Sequence, residues 1–141
     1  MESETHPIAA WHQIVESRDA ARLNLLLSDD VVFYSPVVHA PQVGKRLAIS
    51  YLNAALQVFL NDSFRYVRDI VGINDAMLEF LVEIDGVVVN GVDVITWNDG
   101  GKISEFKVMI RPYRAVNLIR EKMAALLEHA FKGERFAGTP E

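Results

Sequence analysis

Apolar residues recur at three- and four-residue spacing at Ile8, Trp11, Ile14 and Val15, which predicts a helix over about Pro7–Leu27 with Pro7 in its first turn. Its last part, Leu23 to Leu27, reads as buried all round, and Ser28-Asp29-Asp30 reads as a stop. Val31-Val32-Phe33-Tyr34 is a short β-branched and aromatic run closed by Ser35-Pro36, where the proline disfavours helix. Val37-Val38-His39 is expected to pair back on it, ending at Pro41 and Gly44. The helical period returns over Lys45–Leu60, with Leu47, Tyr51, Leu52, Ala55, Val58 and Phe59 on one broad face. Asn61-Asp62-Ser63 makes the next turn.

There the period changes from 3.6 to 2. Phe64–Ile73, Met77–Ile84, Val87–Trp97 and Lys102–Arg111 are β-rich runs separated by Asn74-Asp75, Asp85-Gly86 and Asn98-Asp99-Gly100-Gly101. Asn, Asp and Gly tolerate the positive φ of tight hairpins, so these runs predict an antiparallel meander. Alternation assigns the faces. Phe106, Val108 and Ile110 go inward in the last strand, as do Leu78, Phe80 and Val82 in Met77–Ile84. Asp93, Ile95 and Trp97 share one face of Val87–Trp97, opposite Val92 and Val94. After Pro112 a last amphipathic helix carries Val116, Ile119, Met123, Leu126, Leu127 and Phe131 on one side, and residues 133–141 read as a polar tail. The order predicts an α+β domain spanning 1–141, a cone in which helices pack on the concave face of a curved antiparallel sheet and leave a pocket at the open end.

Composition narrows the chemistry. The 141 residues include no cysteine, which excludes disulfides, a thiol nucleophile and Cys-ligated metals. A net charge of −5 favours neither nucleic acid nor an anionic membrane. No apolar run reaches the ~18–20 residues of a membrane span, and the acidic start Met1-Glu-Ser-Glu has no apolar signal-peptide core. The expectation is a cytoplasmic protein. His6, His12, His39 and His129 show no metal-ligand spacing, so neither a metal nor any other cofactor is expected.

The segments Ser28–Pro36, Gly44–Ile49 and Asp93–Ile103, the last containing Asp-Gly-Gly-Lys-Ile, resemble the nuclear transport factor 2 (NTF2)-like superfamily. This group contains ketosteroid isomerase, limonene-1,2-epoxide hydrolase and the SnoaL-type polyketide cyclases. The ending Val108-Met-Ile-Arg-Pro112 before a long helix is most similar to the bacterial SnoaL-like branch. The resemblance puts the Asp93 face inside the cone. It implies that Asp93 matches the carboxylic acid with which ketosteroid isomerase serves a developing oxyanion. That enzyme's first-helix tyrosine falls on Trp11, and its aspartate before proline falls on Ser35. The epoxide-hydrolase tyrosine, asparagine and late-strand aspartate positions fall on Phe33, Ser35 and Val108, which removes that chemistry.

Asp93 is therefore the candidate catalytic residue, either as a neutral hydrogen-bond donor or as a base tuned by burial. The expected pocket wall is Trp11, Phe33, Ser35, Tyr51, Phe80, Val82, Ile95, Trp97, Phe106, Val108 and Ile110, with His39 near the mouth. Trp11, Tyr51, Ser35 and His39 are the candidates for a second polar group beside Asp93. The expected ligand is a small apolar or aromatic molecule, which needs a cavity of roughly 300 Å³ or more. The expected reaction is isomerisation or cyclisation without a cofactor; the alternative is a non-catalytic homodimer with a filled cone. Val92, Val94, Leu81 and Met109, rimmed by Glu79, Glu83, Lys107 and Arg111, form an outer strip that suggests a homodimer through the outer sheet face.

Overall fold

Along β4 (Asp75–Ile84) and β5 (Val87–Trp97) every second side chain is buried, and this period sets the inner and outer faces of the sheet. The computed structural model describes residues 6–130. Phe131, the tail expected over 133–141 and the first five residues lie outside the described residues. The remaining elements are α1 (Pro7–Ser17), α2 (Leu23–Leu26), β1 (Leu27–Tyr34), β2 (Gln42–Val43), α3 (Lys45–Phe59), β3 (Arg65–Val71), β6 (Ile103–Arg111) and α4 (Tyr113–Ala130). The strands form one unclosed sheet in the order β2-β1-β6-β5-β4-β3.

The meander β3–β6 stands as expected. Asp85 (φ 52°) and Gly86 (φ 80°) make the two-residue turn between β4 and β5, whose positive φ values match the right-handed twist of a hairpin. Leu78, Phe80, Val82, Asp93, Ile95, Trp97, Phe106 and Val108 all point inward. They are covered by Trp11 and Ile14 of α1, by Leu52, Ala55 and Phe59 of α3, and by Ile119 and Met123 of α4. The α+β cone follows from these faces.

Four local expectations change. The sheet is mixed, because β1 runs parallel to β6; no hairpin joins these strands, so nothing forces them antiparallel. The partner of β1 is Gln42–Val43, not Val37–His39 (Val32 opposite Val43, Phe33 opposite Gln42). The Ser35 hydroxyl accepts the Val37 N–H at 3.1 Å, taking a donor that strand pairing would need. The long first helix stops at Ser17, where Arg18 adopts a left-handed conformation (φ 58°) and Asp19 caps a separate 3-10 turn through the Ala21 N–H. Ser28–Asp30 lies inside β1, where the pairing with β6 shifts register, and Leu25 is 70% exposed rather than buried.

Candidate functional site

Asp93 is placed by the alternation of β5 between inward Gly91 and Ile95, and is only 5% exposed. Its Oδ2 accepts a hydrogen bond of 2.6 Å from the hydroxyl of Tyr66 on β3. That hydroxyl in turn accepts the Trp11 Nε1–H from α1 at 2.9 Å. Three elements thus converge on one carboxylate. Burial pushes the Asp93 carboxyl up to about 7, and the Tyr66 hydrogen bond pulls it partly back. The Tyr66 hydroxyl is held well above the usual phenol range, first by its own burial and then by the neighbouring Asp93 charge.

The triad borders a cavity whose remaining wall is apolar: Val15, then Leu52, Ala55, Leu56, Phe59 and Leu60, with Phe64, Phe80, Phe106 and Val108. Its volume is about 30 Å³, room for roughly one water. This is a tenth of the space expected for a ligand. Rings fill the difference: Phe64 stacks on Phe80 at 5.2 Å, Phe59 meets Phe80 edge-on at 5.4 Å, and Trp11 meets Phe106 edge-on at 4.8 Å. Phe80 can lie this far across β5 because residue 91 is glycine.

Of the expected wall, Trp11, Phe80, Phe106 and Val108 stand around the cavity with Asp93. Phe33 lies behind Phe106, at 6.0 Å, and beside Tyr51, at 6.1 Å. Val82, Ile95 and Trp97 are buried in the core off the cavity, Trp97 against His6 at 5.0 Å. Ile110 is half-buried beside Gly91. Ser35 closes its turn, and His39 is exposed in the loop before β2. Among the described residues no group of three or more His, Asp or Glu is arranged to hold a metal. No described helix is long and apolar enough to cross a membrane.

Sequence reasoning missed Tyr66, the group that touches Asp93. The β3–β4 hairpin starts with Val71 opposite Ala76 and runs in step to Arg68 opposite Glu79. Continued unbroken, it would set Tyr66 opposite outward-facing Leu81. A bulge at Val67 inserts one residue and brings Tyr66 opposite inward-facing Phe80 instead.

Comparison with known proteins agrees with this fold. The family model described as a SnoaL-like domain matches residues 8–106. A steroid delta-isomerase from Pseudomonas aeruginosa is 32% identical, with a TM-score of 0.83 over 89% of this chain and 91% of that one. An uncharacterised bacterial protein with a cystatin-like fold from Silicibacter pomeroyi is 33% identical, with a TM-score of 0.80 over 89% of each chain. An NTF2-like protein of unknown function from Mesorhizobium loti shares the fold at 19% identity and a TM-score of 0.65, over 75% of this chain and 88% of that one. Curated proteins give no significant match.

Proposed function

The chain belongs to the SnoaL-like family of NTF2-like proteins, and from that footing we propose that it is a cofactor-free acid–base enzyme of isomerase or cyclase type, acting on a small, mainly apolar molecule. The observation that carries this reading is the buried Asp93, titrating near neutrality, with Tyr66 as its hydrogen-bond donor in an otherwise apolar cavity. A carboxyl poised near the working pH exchanges a proton efficiently in both directions. In an isomerisation the Asp93 carboxylate takes a proton from one carbon, the double bond migrates, and the same carboxylic acid returns the proton to another carbon. Tyr66 steadies the charged carboxylate before the first transfer and after the second. A buried, half-titrated carboxyl costs stability, and such groups cluster at functional sites. The similarity to a steroid delta-isomerase lends weight to isomerisation within this class.

The ligand must displace wall side chains to enter, since the space is about 30 Å³. Of the apolar wall, Val15, Leu60 and Phe64 are partly exposed and are the side chains expected to yield. The small volume is also what favours the second reading, a non-catalytic homodimer with a filled cone. In both readings the protein is cytoplasmic and pairs through the outer face of its sheet. Support for the pairing comes from exposed Ile70, Met77 and Met109, which border a groove of about 350 Å³ on that face.

Native mass spectrometry of the purified protein would identify a retained small molecule. Incubating that compound with the protein in D₂O would then read proton exchange at carbon. The wild type is expected to incorporate deuterium. Asp93→Asn should abolish incorporation while leaving affinity within a few fold. Equal incorporation by Asp93→Asn removes Asp93 from the chemistry, and none by the wild type favours the filled-cone reading.

A further inference from the structure

Tyr66 sits on an edge strand, where the sheet supports it from one side only. Its hydroxyl nevertheless meets Asp93 at 2.6 Å. The bulge at Val67 explains what holds it. In an unbroken strand, residues three apart point to opposite faces. Here the extra residue leaves Tyr66 opposite Phe80 and Asp69 opposite Leu78, so both face the helices, while Arg68 turns outward to Glu79 at 3.2 Å. The two inward residues meet consecutive positions of α1. Trp11 Nε1 donates to the Tyr66 hydroxyl at 2.9 Å, and His12 Nε2 lies 2.9 Å from Asp69 Oδ2. The His12 ring also stands edge-on to the Tyr66 ring at 5.1 Å, with Phe64 edge-on to Tyr66 at the same distance. Arg18 reaches Asp62 at 3.6 Å, but both are well exposed and that pair adds little.

We propose that His12 and Asp69 are positioning residues, whose contact clamps α1 onto the bulged edge strand and holds the Tyr66 hydroxyl on Asp93. The role rests on reading Asp93 as the proton carrier. Asp93 is faced by Tyr66 from β3 and by Trp11 from α1. The cavity residues from α3, β4 and β6 around it are all apolar, so Tyr66 is the polar group through which the clamp acts.

NMR tests this on the full chain. The Tyr66 hydroxyl proton is assigned by its loss in Tyr66→Phe, and the Asp93 carboxyl carbon by its loss in Asp93→Asn. Asp69→Ala is expected to speed exchange of the hydroxyl proton with water by about tenfold or more, as local opening does. It should also move the Asp93 titration to higher pH, because the hydrogen bond favouring the carboxylate is lost. Asp69→Asn keeps an oxygen to accept from His12 and should restore both. His12→Ala, at a half-exposed position, reads the same clamp from α1 should Asp69→Ala fail to fold. A pair that serves stability alone would lower the urea midpoint yet leave hydroxyl exchange and the Asp93 titration at their wild-type values, and that result overturns the proposal. If Asp93 titrates with the surface carboxylates in the wild type, the acid–base reading falls, while hydroxyl exchange still decides the clamp.

Discussion

Asp93 makes the folded state hold a proton that the unfolded chain releases. Its carboxyl ordinarily titrates at 3.8 and in the fold at about 7. Folding therefore favours the protonated form. The associated stability is fully present below the unfolded value and is lost as pH rises through about 7. A shift of this size corresponds to on the order of 4 kcal/mol. Comparison with Asp93→Asn isolates the one residue. Asparagine keeps an oxygen for the Tyr66 hydroxyl and cannot ionise. Urea unfolding at pH 5 and pH 8 should show the variant gaining on the wild type at the higher pH by a few kcal/mol. A constant difference across that range would show that Asp93 is not buried as described.

Two strands explain why the fold was legible in the sequence and the site only in part. On β4 and β5 nothing interrupts the alternation, so Phe80 and Val82 follow from counting by twos, as does the shared face of Asp93 and Ile95, while the family resemblance is what turns that face inward. On β3 the bulge at Val67 breaks the count, and its run Phe64–Ile73 offers no clean apolar face from which to recover it. Tyr66 was hidden for that reason, not for want of a polar signal. Tyr51, weighed in its place, lies deep on α3 against Phe33. The cavity volume was equally illegible, because it depends on how the rings of Phe59, Phe64 and Phe80 interlock. Gly91 on β5 is part of that interlock. A Cβ there would lie 2.4 Å from Phe80 Cζ, 2.8 Å from Ile110 Cγ2 and 2.9 Å from the Met109 carbonyl oxygen. The side chains can shift, but the carbonyl belongs to the neighbouring strand. Gly91→Ala should therefore cost about 1–3 kcal/mol as overpacking, read as a lower urea midpoint. A cost within a few tenths would mean that β5 and β6 yield more readily than their pairing implies.

For the whole molecule, the inner face of the sheet is covered by its own helices, whereas among the described residues nothing covers the outer face. Met77 (44% exposed), Met109 (49%) and Ile70 (56%) stand on it. A polar row crosses four strands beside them: Arg68 to Glu79 at 3.2 Å, Asn90 Nδ2 to Glu79 at 3.0 Å, and Arg111 to Asn90 Oδ1 at 3.1 Å. These groups partner one another, so covering the apolar residues next to them would not strand them unpaired. An uncovered apolar patch with satisfied polar neighbours is the pattern of an interface. A second copy suits it, since a two-fold contact brings the same patch against itself. One substitution then acts twice. Met109→Glu would set a carboxylate from each copy into the shared apolar strip, at the cost of its hydration. Sedimentation at micromolar concentration should show a wild-type dimer and a Met109→Glu monomer. The Asp93 titration should be the same in both, because Met109 and Asp93 lie on opposite faces of the sheet. A wild type that sediments as a monomer across the concentration range would overturn the homodimer.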